Sequence, residues 1–122
     1  MAAMAGAETK SFANPDEILE PPLARAEVVE IGGGTVGRYT AQPGWRWTVH
    51  LKEVAGTELC EAPHFQYHVS GRLGVRMADG TEFEIGPGEV AVLPPGHDAW
   101  VVGDEPVVVV DWGGAHTWAH SA

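Results

Sequence analysis

The sequence predicts an all-β fold, and three observations carry that expectation. Sixteen glycines and nine prolines stand among 122 residues, a density of turn-formers that suits short strands rather than a helical bundle. About nine short apolar or alternating runs follow one another between turn signals, the pattern of a β-barrel or sandwich. No segment carries a long apolar stripe of helical period. The length makes one domain the default, with enough chain to bury a core without a disulfide or a structural metal. The 44% hydrophobic content is that of an ordinary globular protein.

Taken in order, residues 1–24 form an N-terminal arm, expected to be partly flexible, ahead of a β-domain spanning 25–122. The arm is rich in alanine. In Asn14-Pro15-Asp16-Glu17, Asn14 is placed to cap one helical turn with Pro15 at its first position, and Pro21-Pro22 stops it. Phe12, Ile18 and Leu19 are its anchoring residues. The expected strands are then Ala26–Ile31, Val36–Ala41, Trp45–Leu51, Phe65–Ser70, Leu73–Met77, Glu82–Ile85, Val90–Leu93, Trp100–Val102 and Val107–Trp112. Gly32-Gly33-Gly34 separates the first two, and Gln42-Pro43-Gly44 ends the second. Asp79-Gly80 is a hairpin signal, because glycine supplies the positive φ of a tight primed turn. Gly86-Pro87-Gly88, Pro94-Pro95-Gly96 and Gly103-Asp104-Glu105-Pro106 punctuate the remainder.

Charge narrows the function classes. Seven basic residues against seventeen acidic ones leave a net charge of -10, which repels phosphate backbones and anionic membrane surfaces. Neither nucleic acid nor membrane is therefore an expected partner. No apolar run approaches the ~20 residues that cross a bilayer. Met1–Ala7 lacks the basic start and apolar core of a signal peptide, and Glu8, Asp16 and Glu17 argue against a transit peptide. A cytoplasmic location is the expectation. The single cysteine, Cys60, cannot make an internal disulfide.

Alternation within two strands bears on the site. In Trp45–Leu51, Trp45, Trp47, Val49 and Leu51 alternate with Arg46, Thr48 and His50. In 64–70, Phe65, Tyr67 and Val69 alternate with His64, Gln66 and His68. A polar strand face is ordinarily the solvent face; in a small barrel it can instead line a ligand cavity. Gly32-Gly33-Gly34-Thr35-Val36-Gly37 has dinucleotide-motif spacing, but no amphipathic helix follows, so it reads as a turn between strands. No nucleophile elbow is present.

The stretch Gly71-Arg72-Leu73, Asp79-Gly80-Thr81 and Gly86-Pro87-Gly88 through Pro94-Pro95-Gly96 resembles the conserved-barrel segment of the cupin superfamily. Gly88, Pro94 and Gly96 fall at the offsets of the second cupin motif. The resemblance runs from about Trp45 to Trp112 and implies a double-stranded β-helix, a jelly-roll barrel with a pocket between its sheets, and dimerisation. Its usual metal ligands are altered here. His64 stands where the family has a glutamate, seven residues before Gly71; the preceding His-any-His becomes Glu58-Leu59-Cys60 with the three-residue spacing or Thr57-Glu58-Leu59 with four; and the second-motif histidine falls on Ala99, with His97 two residues earlier. What the resemblance implies is an altered metal set of Glu58, Cys60, His64 and His97, side chains competent for a divalent transition metal such as Zn, Fe, Ni or Cu.

Each candidate has a plain alternative. Cys60 can be a buried small hydrophobe, and His50 a surface or core-edge histidine. His97-Asp98 can be simple turn chemistry, with Asp98 only orienting His97. On a regular strand His68 lies roughly 13 Å from His64 at Cα, too far to share an ion, but it can line the pocket. His116 and His120 are assigned no role. Two functions are carried forward. In one, a metal bound by the altered set acts on a small oxygenated or aromatic molecule in isomerase, lyase or oxygenase chemistry, with His50, Gln66 and His68 orienting substrate or moving protons. In the other, the domain binds or senses a small molecule without catalysis, having lost the ancestral metal site. His64 is the expected centre of the pocket in both. A homodimer is expected, with the arm and Ala26–Ile31 adding to a partner's sheet.

Overall fold

The structure is a computed structural model and describes residues 6–112. Two antiparallel sheets face each other across one apolar core. The larger contains β1 (Glu17–Leu19), β2 (Ala24–Ile31), β3 (Gly34–Ala41), β9 (Val107–Asp111), β4 (His64–Ser70) and β7 (Val90–Leu93), in that spatial order. The smaller runs β6 (Glu82–Ile85), β5 (Arg72–Met77), β8 (His97–Val102). The sheets are not closed into a barrel by strand pairing.

The turn signals place the hairpins. Ile31 pairs with Gly34 across Gly32 and Gly33, both at positive φ, which is the geometry of a two-residue primed turn. The glycine-rich motif is thus a strand turn, as its sequence context indicates. Asp79-Gly80 joins β5 to β6, with Met77 N–H donating to the Thr81 carbonyl.

The arm departs from expectation. Asn14 caps no helix. Asp16 instead accepts from the Glu30 N–H, and residues Glu17–Leu19 pair with β2 from Glu17 opposite Val28 to Leu19 opposite Ala26. One edge of β2 is therefore paired over Ala26–Val28 with the chain's own β1, which becomes the outermost strand of that sheet.

The second departure is the segment expected as strand Trp45–Leu51. Only its start is extended, where Arg46 bridges Trp100 and Val101 N–H donates to the Trp45 carbonyl. Two single-turn helices follow, α1 (Trp47–His50) and α2 (Lys52–Ala55), ended by Gly56 in the left-handed region. The physical reason is visible in spacing: Trp47, Leu51 and Ala55 are buried at four-residue intervals while Val49 is 69% exposed. Asp98 anchors the first turn by accepting from Thr48 N–H, Thr48 Oγ1 and Arg46 Nε.

β4 is turned inside out. Its polar set, His64, Gln66 and His68, is buried in the core, while Phe65, Tyr67 and Val69 face outward. A bulge lies between His68 and Ser70 in the pairing with β9.

Gly71 joins β4 to β5 at φ 76°, and a Cβ there would run into the Pro106 carbonyl oxygen and lie 2.7 Å from Val107 Cα. Backbone atoms cannot swing aside. Gly71→Ala is expected to cost about 3 kcal/mol, combining backbone strain and overpacking, and to lower Tm by about 10 °C. Gly80→Ala, at φ 91° but in open space, should cost only about 1 kcal/mol. Thermal melts of the two variants test the ranking.

Candidate metal centre

Three of the expected ligands converge. Cys60 and His97 are bridge partners, with Cys60 N–H donating to the His97 carbonyl at 2.8 Å and His97 N–H returning to the Cys60 carbonyl at 3.2 Å. That exchange puts the two side chains next to each other on the inner face. His64 reaches the same point from β4, on the opposite sheet. Cys60 Sγ lies 3.7 Å from His64 Nε2, and the imidazoles of His64 and His97 are 5.2 Å apart between centroids. The ligand atoms of Cys60, His64 and His97 all lie within 4.8 Å of one another, and all three residues are buried. In a tetrahedral zinc site, ordinary Zn–S and Zn–N bonds put ligand atoms about 3.3–3.6 Å apart, so a small inward adjustment suffices.

The other nitrogen of each imidazole is already engaged. His64 Nδ1 is hydrogen-bonded to Asp111 Oδ2, and His97 Nδ1 donates to the Pro94 carbonyl at 2.9 Å. Both contacts fix the ring and leave Nε2 as the free lone pair. Asp111 is fully buried and accepts twice more, from Tyr39 Oη at 2.9 Å and from Phe65 N–H at 3.1 Å. Sequence reasoning did not single out Asp111. The signal was present: in the run Val107–Asp111 it shares the inward parity of Val107 and Val109, a lone carboxylate on a core face.

Burial sets the protonation states. It pushes the Cys60 thiol up to about 11, against a partly opposing hydrogen bond from Ala62 and with the Glu61, Asp111 and Asp98 carboxylates adding to the rise. It drives His97 down to about 4, the Pro94 carbonyl opposing. Tyr39 is held well above the ordinary phenol range by burial and by Asp111, so it remains a donor.

The remaining expected residues are placed elsewhere. Glu58 is not brought to the cluster; its side chain is 89% exposed and pairs with Lys52 at 3.1 Å. His50 folds back on its own helix, its Nδ1 3.1 Å from the Arg46 N–H, and it does not line the cavity. Asp98 does not orient His97, being committed to Arg46 and Thr48. Gln66 does line the cavity, and His68 lies behind it, fully buried, with Nε2 2.7 Å from Gln66 Nε2. His116 and His120 lie outside the described residues. The cavity at the cluster measures about 40 Å³ and is walled by Tyr39, Trp45, Trp47, Gln66, Leu73 and Ala99, among others. No carboxylate lines it among the described residues. Trp47, one of the wall residues, has its Nε1 buried without a hydrogen-bond partner.

Solved structures share this architecture. A protein of unknown function from Rhizobium leguminosarum bv. viciae is 21% identical with a TM-score of 0.64, over 90% of this chain and 98% of that one. An uncharacterised double-stranded β-helix protein from Klebsiella pneumoniae is 20% identical with a TM-score of 0.58, over 94% and 90%. The oxalate decarboxylase of Lactobacillus farciminis, solved with formate, is 18% identical with a TM-score of 0.56, over 84% of this chain but 32% of its own. No protein-family model matches the chain, and no curated protein matches it in sequence. The structural likenesses show the fold to be a double-stranded β-helix. Among the described residues no helix is long and apolar enough to cross a membrane.

His68 and His97 share the pH dependence of the metal-free protein. Burial lowers each to about 4 from an ordinary 6.5, so the unfolded chain takes up protons at both across that window and the folded one does not. The stability contribution is full above about 6.5 and is lost as pH falls towards 4. Urea midpoints measured in chelator should decline over that range, and the decline should be shallower in His68→Gln.

Proposed function

We propose that this cupin-fold chain holds a divalent transition metal through Cys60, His64 and His97, with its open coordination side facing the small cavity. The observation that carries the reading is the double orientation of the imidazoles. Asp111 and the Pro94 carbonyl each hold an Nδ1, which leaves both Nε2 atoms free, that of His64 3.7 Å from the Cys60 sulfur, in a cluster whose ligand atoms lie within 4.8 Å of one another. Carboxylate–histidine pairs of this kind are the usual support of a ligating imidazole. A Cys/His/His donor set suits Zn, Fe, Ni or Cu and not Mg or Ca. When bound, the metal would supply Lewis-acid polarisation of an oxygen atom.

The chain's own groups define what that oxygen belongs to. A cavity of about 40 Å³ has room for a few water-sized groups, which favours a small oxygenated molecule over an aromatic one. The unpartnered Trp47 indole N–H is a donor for one ligand oxygen, and the Gln66 amide is a second orienting group. His68 acts through Gln66 as a positioning residue. The thiol at about 11 is a poor nucleophile when metal-free, so a ligand role suits Cys60 better than covalent catalysis. Isomerase or lyase chemistry on a small oxygenated substrate is the enzymatic form of this reading.

A non-catalytic binding or sensing role is the second form, favoured by one observation: no carboxylate lines the cavity among the described residues. A proton-transfer step would have to use the ligands themselves or Gln66-bound solvent. The two forms share the metal centre and separate on turnover.

Elemental analysis of untagged protein should find about one transition metal per chain. Cys60→Ala, His64→Ala and His97→Ala should each lose it while keeping a β-rich circular dichroism spectrum. Asp111→Asn should weaken metal affinity about 10–100-fold, and Glu58→Ala should keep full occupancy. Full metal content in the three ligand variants would discard the assignment.

A further inference from the structure

The cavity at the cluster has no permanently charged side chain of its own. Among the described residues none of its walls is Lys, Arg, Asp or Glu, and beyond the three ligands its polar groups are neutral: Tyr39, Gln66 and the indoles of Trp45 and Trp47. The charge of the centre is fixed by what lies around it. A dication held by one thiolate and two neutral imidazoles leaves a single positive charge. Asp111, fully buried and bonded to His64, supplies a single negative one. Its other donors, the Tyr39 hydroxyl and the Phe65 N–H, are neutral and do not cancel it. The loaded centre is therefore electroneutral before any ligand enters. The farther groups that bear on it are carboxylates, Glu61 and Asp98 on Cys60 and Glu89 on His68, with Asp98 already paired to Arg46. Gln66 adds a second constraint. Its Nε2 is engaged by His68 Nε2 at 2.7 Å, so the amide's carbonyl oxygen is the atom left to meet a ligand, and it accepts rather than donates.

We propose that this centre selects an uncharged small molecule that carries both a Lewis-basic oxygen and a hydrogen-bond donor, such as a hydroxycarbonyl compound or a primary amide, and rejects carboxylates of the same shape. Asp111 sets the charge selection and Gln66 the donor requirement. The inference rests on the metal reading above and narrows its ligand class. A carboxylate entering the cavity brings an uncompensated charge into a site shielded from water, in a chain whose net charge is already -10. Neither of its oxygens can donate to the Gln66 carbonyl. A neutral ligand meets neither obstacle, and its O–H or N–H is given to Gln66. Selection of this kind works by exclusion, through a charge already buried behind His64. Asp111 thus has a second task beside orienting that imidazole.

Acetamide and acetate are probes of one shape that differ in charge and in the donor. Each is titrated at neutral pH into the full chain loaded with cobalt(II), following the cobalt absorption bands, with calorimetry as a check. The wild type is expected to bind acetamide about tenfold or more tightly than acetate. In Asp111→Asn, kept at saturating cobalt, the centre gains a positive charge and the order should reverse. In Gln66→Leu, acetamide should weaken about tenfold with no gain for acetate. Acetate bound as tightly as acetamide by the wild type would overturn the proposal. So would an unchanged ratio in Asp111→Asn, or no response to either probe. Where Asp111→Asn holds too little cobalt to read, the wild-type ratio and Gln66→Leu still decide. The thiolate-to-cobalt charge-transfer band tells the two failures apart: with the band present and the wrong preference, only the selectivity falls, and with the band absent the metal assignment falls and takes the selectivity with it.

Discussion

The structure depends on one buried carboxylate. Asp111 is inaccessible to solvent, and burying its charge is tolerable only because donors surround it: Tyr39 from β3, His64 and the Phe65 N–H from β4. Those contacts tie together three neighbouring strands of the larger sheet at their shared end. They also dictate the rotation of His64, and hence which of its nitrogens faces the cavity. Removing one donor would leave the charge underpaired. Replacing the carboxylate would free the imidazole whose aim defines the site.

The smaller sheet supplies the complementary half. Cys60 and His97 are held by backbone pairing on the free edge of β8, and Asp98, one residue on, fastens α1 to the same strand. The cluster therefore spans the gap between two sheets that no strand pairing closes. On the proposed reading a bound ion is a cross-link between layers, so it would stabilise the folded chain by mass action as well as serve the cavity. Turning the polar face of β4 inward to build this site exposes its apolar face, and the same alternation thus shapes both the centre and the outer surface.

Much of this was legible in the sequence because glycine and proline signals are local. Gly32-Gly33, Asp79-Gly80 and Pro94-Pro95-Gly96 mark turns whatever packs around them, and the cupin-like spacing led from Gly71 back to His64 and from Gly96 on to Ala99, with His97 the histidine two residues before it. The segment Trp45–Leu51 was misread because a single helical turn and a strand share apolar positions over so short a span, and only burial separates Val49 from Trp47 and Leu51. Glu58 was a candidate by spacing alone; a carboxylate near α2 found Lys52 and solvent at less cost than a buried cluster. Asp111 was overlooked because its run is almost entirely valine. Its role arises from contacts with Tyr39 and His64, 72 and 47 residues away in sequence, which no local pattern records.

The most direct measurement of the central claim is a cobalt(II) titration of the chelator-treated protein, followed by absorption and by proton release. With a Cys60 thiol that titrates only at about 11 in the metal-free protein, binding at neutral pH must deprotonate the sulfur. The account predicts a thiolate-to-cobalt charge-transfer band that saturates at one ion per chain, with one proton released and the band absent in Cys60→Ser. Binding without that band, or a band that persists in Cys60→Ser, would contradict it.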